Sequence, residues 1–472
     1  MDRSQAKEEE LKFLSQEYKK NPELFSRETF IDSPEFLETI GISLKEYENL
    51  PKGYFKLWPY DFIVEEISKD GTVETVNSDD FFHTKKPYSK DDPTAYATLV
   101  KCKFSTFEAA NQLSDILDID KKKTQFAGIK DTDALTAQQM SFRGINIEKL
   151  QAISSPHFFL KNVYSSNGAL EVGSLKGNKF TILIRTSESF DKEEFNSKIE
   201  KIRKNGFYNF FYSQRFGSPR FVNWFWGLLI LRGGYRNAVL SFLCSEGQRE
   251  IQYFKNLRSE IKSHIDDWDK ILELIQPFPL VLSNEIKIIK YLQKNPKDFV
   301  GALKQLPEQI QMWVFAYGSL LFNRKLSEYI ENKLPIPEKL PLILSKDQDD
   351  WIPYYNFLKE DQISSMPLKN LQPFSDIQWK KREIKTTEQV DIHKVAFVPE
   401  GIILSFSLSK GCYATTFLSH LFQLSTGLPP KNISEKIIDT KEILGDGSLK
   451  DLMEKFKDIT FSKSEDYFDK TE

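Results

Sequence analysis

Residues 126–138 read Phe-Ala-Gly-Ile-Lys-Asp-Thr-Asp-Ala-Leu-Thr-Ala-Gln. A short apolar run ends in Gly128-Ile129-Lys130-Asp131, and a second run, Thr136 to Phe142, mixes polar with apolar residues. Two such runs around a polar break predict a strand, a tight loop and another strand, with Asp131 at the strand end. Gly128 permits close backbone approach or an unusual backbone angle just before the charged pair. A rigid sheet can thus present Lys130 and Asp131 at a cleft. Taken alone, an aspartate here is more often a turn former bonded to its own backbone. The loop therefore needs support from the rest of the chain.

The totals set the frame. A chain of 472 residues exceeds what one core usually serves, so two domains are expected. A hydrophobic share of 40% with 28% charged residues suits a soluble globular protein. No run approaches the ~18 apolar residues of a membrane span. The opening Met-Asp-Arg-Ser-Gln-Ala-Lys-Glu-Glu-Glu lacks an apolar signal region, which predicts a cytoplasmic protein. Cys102, Cys244 and Cys412 stand far apart and are odd in number, so no disulfide framework is expected. The histidines are isolated, so no metal site is expected. The formal net charge of −3 does not announce a nucleic-acid binder; an RNA site has to be a local basic patch.

Several segments share one resemblance. Gly128, Lys130, Asp131, Ala134, Thr136 and Gln138 fill the pattern G-x-K-D-x-x-A-x-T-x-Q, which resembles the signature of the TruD family of pseudouridine synthases. Upstream, Lys56, Pro59, Asp61, Phe62, Val64 and Glu66 resemble the family's K-x-x-P-x-D-F-x-V-x-E. Lys176-Gly177-Asn178, read as a turn into the strand Phe180 to Arg185, is similar to its L-K-G-N-x-F segment. Asn209, Phe211, Gln214, Arg215, Phe216 and Gly217 resemble N-Y-F-G-x-Q-R-F-G, with Tyr212 where the family has glycine. Lys410, Gly411, Tyr413, Ala414 and Thr415 resemble L-P-x-G-x-Y-A-T, with Ser409 for the proline and Ser419-His420 for an Arg-Glu pair.

The resemblance implies an α+β fold: a mixed, mainly antiparallel sheet forming a catalytic domain split over 51–235 and 393–460. A largely helical α+β insertion spans 236–392, after a helical N-terminal extension over 1–50 and before a frayed tail at 461–472. Helices are expected within the insertion at Glu260–Leu274 and Ile286–Gln293, with irregular loops over 334–392. A loop or hairpin is expected at 70–92, a strand from Tyr96 to Phe104, and a helix from Ser105 to Leu117 with Ser105 or Thr106 as cap and Glu108 in the first turn.

The implied activity is isomerisation of a uridine in RNA, in the family's usual case uridine 13 of tRNA. No cofactor and no metal are implied, and the partners are RNA without a membrane, bound by a monomer. Asp131 is implied as the catalytic nucleophile and Lys56 as the lysine that keeps it ionised. Phe211 is implied to stack on the target uracil, Asn209 to anchor it, and Phe62, Lys130 and Arg215 to bind substrate. Asp133, at a position that the motif leaves free, is the decoy. Two other readings stand beside this one. An RNA-binding or folding factor of the same fold fits the Tyr212, Ser409 and Arg-Glu departures. A hydrolytic carboxylate pair formed by Asp131 and Asp133 lacks the separation that glycosidases need.

Overall fold

β-branched and aromatic runs separated by charged turns build the centre of the molecule. The computed structural model describes residues 3–77, 94–151, 153–165, 168–187, 191–343, 347–363, 367–375, 377 and 381–464. In chain order the strands are β1 (Thr29–Ile31), β2 (Lys52–Phe55), β3 (Phe62–Ser68), β4 (Thr94–Cys102), β5 (Thr124–Phe126), β6 (Leu135–Arg143), β7 (Phe158–Ser165) and β8 (Leu175–Arg185). They continue with β9 (Phe207–Tyr208), β10 (Lys339–Leu342), β11 (Arg382–Lys385), β12 (Thr387–Glu388), β13 (Asp391–Val398), β14 (Gly401–Ser409) and β15 (Gln423–Gly427). Eleven form one sheet in the order β1-β15-β2-β8-β3-β6-β4-β7, with β14 also on β8, β13 on β14 and β5 on β6. β15 with β2 and β3 with β6 are parallel; the other pairs are antiparallel. The mixed, mainly antiparallel sheet and the α+β class agree with the sequence.

Register then places the site. Ile63 lies beside Leu135 in the parallel pair. The segments that precede β3 and β6, residues 56–61 and 127–134, therefore emerge at one end of the sheet. β4 runs the other way and sets Lys101 opposite Thr136 and Cys102 opposite Leu135, so its last residues reach that same end.

The helix Thr106–Leu117 forms as its spacing predicts. The Ser105 side chain accepts from the Glu108 amide, and the Glu108 carboxylate accepts from the Ser105 amide at 3.3 Å, a reciprocal cap. Ala109, Leu113 and Leu117 bury against Leu99, Met140 and Phe142 of the sheet. In the helical region, Asn223–Leu231 lies along Pro307–Glu331. A side chain at Gly227 would put its Cβ 2.2 Å from the Trp313 carbonyl oxygen, so this close approach admits glycine alone. Among the described residues no helix is long and apolar enough to cross a membrane.

Several local expectations are corrected. The N-terminal extension is not wholly helical: after the helix Arg3–Lys20, β1 joins the sheet edge on β15. Lys176, Gly177 and Asn178 are not a turn but lie inside β8, where Gly177 faces Ser409 of β14 and Ile67 of β3. The helix expected over Glu260–Leu274 is two, Gln252–Ser263 and Trp268–Ile275. They are separated at Asp266, whose φ is 74°, and Asp267 caps the second by accepting from the Lys270 amide. The stretch 334–392 contains the β10–β11 ribbon as well as loops. Residues 461–464 are fastened to the body, with the Lys463 amide donating to the Leu57 carbonyl at 3.2 Å. The rest of the tail (465–472) and the loop residues 78–93 lie outside the described residues.

Candidate active site

Asp131 stands at the sheet end just before β6, with its side chain 42% exposed. Lys56, the residue after β2, donates to Asp131 Oδ1 at 2.6 Å. The same ammonium lies 4.0 Å from the centroid of the Phe62 ring, which is itself buried. Lys56 takes the left-handed backbone conformation, φ 63°, which costs a non-glycine residue about 1 kcal/mol. Strain of this kind persists where surrounding contacts over-determine it, and here it aims the lysine at the carboxylate.

Beneath the loop lie two further lysines. Lys130 turns inward: its ammonium pairs with Glu66 at 2.5 Å, and the two side chains are 3% and 1% exposed. The expectation of a Lys130 contact to substrate gives way to a supporting role, because a buried ammonium stays on its counter-charge. Gln139 donates its amide to the other Glu66 oxygen at 3.2 Å, and Thr106 accepts from the Lys130 amide at 3.1 Å. Gly128 has no left-handed angle; the nearest atom to its would-be Cβ is the Lys130 ammonium at 3.4 Å. Lys101, fully buried at the end of β4, donates to the Asp131 backbone carbonyl at 2.7 Å. Burial pushes its pKa down to about 8 against the pull of Asp131. Sequence reading passed over Lys101. Its signal is parity: it shares a strand face with Ala95, Ala97 and Leu99, all buried in one cluster, and a lysine on such a face needs a partner.

Asp133 goes elsewhere. It pairs with Lys463 at 2.7 Å. Burial works to raise its pKa, but Lys463, with Lys56 and Lys103 beyond, outweighs that and holds it low. Asp61 is a clamp, gripped at 2.8 Å through both oxygens by Arg185, which also reaches the Ser434 carbonyl at 2.6 Å.

A second cluster forms around residues 207–217. Asn209 donates its side-chain amide to the Lys385 carbonyl at 3.0 Å and its backbone amide to the Thr386 carbonyl at 2.9 Å, so the segment after β11 holds it. Phe211 is buried, edge-on to Phe322 at 5.3 Å, with the Arg215 guanidinium 5.0 Å from its ring. The Arg215 Nε has no hydrogen-bond partner among the described residues. Asn323, from the Phe-Asn pair in the helix Pro307–Glu331, brackets Phe211: its Oδ1 accepts from the Phe211 amide at 2.9 Å and its Nδ2 donates to the Phe211 carbonyl at 2.8 Å. Gln214 meets Thr415 at 3.0 Å, joining the Q-R-F-G and Y-A-T segments. Gly217 has φ +84°, and a Cβ there would fall 2.4 Å from the side-chain Nδ2 of Asn223, so backbone angle and space both favour glycine. Tyr212 has φ −94°, open to any residue, so the departure from the family's glycine brings no strain. His420, at the position of the lost glutamate, accepts from the Tyr208 amide at 3.2 Å and holds the Thr416 carbonyl at 2.8 Å through Nδ1.

A family model described as tRNA pseudouridine synthase D (TruD) matches residues 49–352. The chain belongs to the TruD family. Membership makes it an isomerase, a pseudouridine synthase of the tRNA-acting kind. Among its relatives, the tRNA pseudouridine synthase D of Aquifex aeolicus is 28% identical over 77% of this chain and 96% of its own length. A probable tRNA pseudouridine synthase D of Methanococcus aeolicus is 29% identical over 78% of this chain and 95% of its own. The crystal structure of a putative TruD from Methanosarcina mazei superposes with a TM-score of 0.65 over 83% of this chain and 98% of its own, at 24% identity. That likeness supports the fold.

Proposed function

We propose that this TruD-family protein converts one uridine of tRNA, uridine 13, to pseudouridine, with Asp131 as the reacting carboxylate and no cofactor. The observation that carries the reading is Asp131 itself, open to the surface at 42% yet fixed at 2.6 Å by Lys56. In the reaction the N1–C1′ bond breaks, the base turns, and a C5–C1′ bond forms. The C5 proton leaves, N1 takes one up, and nothing is oxidised or reduced. A carboxylate serves by adding to C1′ or by removing a sugar proton, and either needs a rigid, accessible oxygen. Lys56 supplies the rigidity.

The base must leave its stack to reach Asp131. A uracil stacked on Phe211 takes the place of the Arg215 guanidinium, which is then free for a phosphate. The same reading assigns Asn209 and Phe62 to the base site, Phe62 acting through the Lys56 ammonium that lies 4.0 Å from its ring. In this reading 51–235 with 393–460 form the catalytic body, 236–392 the insertion, and the protein works as a monomer in the cytoplasm.

The test is pseudouridine formation on tRNA lacking the modification, with wild type, Asp131→Asn and Asp133→Asn. Loss in Asp131→Asn alone is expected. Loss in Asp133→Asn alone overturns the assignment. RNA binding by an inactive wild type points instead to a binding factor.

A further inference from the structure

We propose that the N-terminal segment is a positioning element for the uridine-binding loop, acting through Asp32 and Tyr212; this rests on the function proposed above. Tyr212 directly follows Phe211 and is 2% exposed. Its hydroxyl donates to Asp32 Oδ2 at 2.6 Å. The other oxygen of Asp32 pairs with Arg249. Arg249 in turn lies 4.2 Å from the Phe36 ring and 5.0 Å from the Phe221 ring. Asp32 is itself tied to the sheet, its amide donating to the Leu424 carbonyl at 2.7 Å next to the β1–β15 pair.

A second tie runs in parallel. The Asn323 Nδ2 that holds the Phe211 carbonyl also donates to the Ile40 carbonyl at 2.8 Å. Gly41, with φ +83°, lets that segment approach the helix: a Cβ there would lie 2.8 Å from the Leu320 carbonyl. Residues 32–41 thus clasp the loop on both sides of Phe211. Glycine at position 212 has no hydroxyl, so the Asp32 tie belongs to chains that place tyrosine there. Buried hydroxyl-to-carboxylate bonds are strong and directional, and a site held to within an ångström works faster than a loose one.

The molecule contains its own control. Tyr317, fully buried, donates to Asp361 at 2.7 Å, and Arg324 pairs with that carboxylate at 3.2 Å. This is the same trio of residue types, and its hydrogen bonds join Tyr317 and Arg324 to Asp361 rather than to the 207–217 loop. Single-turnover tritium release from tRNA labelled at uridine C5, tRNA affinity, thermal midpoint and amide hydrogen exchange are measured for wild type, Tyr212→Phe, Asp32→Asn and Tyr317→Phe. Tyr212→Phe and Asp32→Asn are expected to slow release about tenfold with affinity within about twofold, and to speed exchange at 207–217. Tyr317→Phe, at a similar loss of thermal midpoint, is expected to keep both at wild-type values. Equal release and unchanged exchange at 207–217 in Tyr212→Phe would overturn the proposal. If wild type releases no tritium, the uridine reading fails, and exchange alone decides the tie: faster exchange at 207–217 in Tyr212→Phe supports it, and unchanged exchange refutes it.

Discussion

The loop that carries Asp131 is fixed mainly by charges from its own sheet, with Lys463 on Asp133 as a distant tie, whereas the loop that carries Asn209 and Phe211 is fixed by residues from far along the chain. Under Asp131 lie the Lys130–Glu66 pair and Lys101, all from strands adjacent to β6 or from the loop itself. Around Phe211 stand Asp32 through Tyr212, Asn323, Thr386 and His420, from the N-terminal segment, the helical region and the returning chain. The difference teaches how local and distant segments share the work of fixing loops. The Asp131 loop needs mostly one rigid end of a sheet. The Phe211 loop takes its full set of ties only when segments from both ends of the chain and from the helical region have docked.

Mutations can break that comparison, and the largest effect is expected at Asp131. Asp131→Asn keeps size and Lys56 contact but loses the reacting oxygen charge; pseudouridine formation should fall on the order of 10⁴-fold or more while tRNA still binds. Asp133→Asn, beside it, should stay active. Next comes Lys130→Met, which strands a buried carboxylate on Glu66. Chemical denaturation should show a loss of about 3–5 kcal/mol, and replacing Glu66 by Leu in the same chain should restore most of it. A Lys130→Met protein of wild-type stability would show that buried charge does not hold this loop. Third, Lys56→Met should lower the single-turnover rate about 10²-fold with little change in tRNA affinity, since it orients rather than binds.

The smallest effect separates the loops by pH. Burial pushes His420 from 6.5 down to about 4, against the Thr416 bond that favours its charged form. The folded protein keeps it neutral while the unfolded chain takes a proton below about 6.5, so the contribution is complete above 6.5 and lost as pH falls towards 4. The loss should reach about 2 kcal/mol, allowing for the partly open ring, and His420→Gln should flatten it in a thermal-midpoint series. Lys101 has the opposite reach: its pKa of about 8 makes the folded state bind fewer protons than the unfolded one up to 10.5, so stability gains there as pH rises. Titration of His420 in acid should therefore loosen the Phe211 loop, and the rise from about pH 8 to 10.5 should firm the loop over Lys101, which exchange at the two loops would check.

By itself the sequence determined the strand before Asp131, the capped helix after Ser105 and the family, because periodicity, caps and ordered motifs are local or linear signals. It also paired Lys56 with Asp131, but only through resemblance, since nothing in the spacing of residues 56 and 131 carries that contact. The tertiary structure decided the rest. The parallel register of β3 on β6 brings Lys56 to Asp131. Burial sets Lys130 on Glu66 and makes Lys101 a partner of the loop. The Asp32–Tyr212 tie spans 180 residues of chain. Such contacts exist only after the entropy of closing those long loops has been overcome by the core that surrounds them, so no local pattern can announce them.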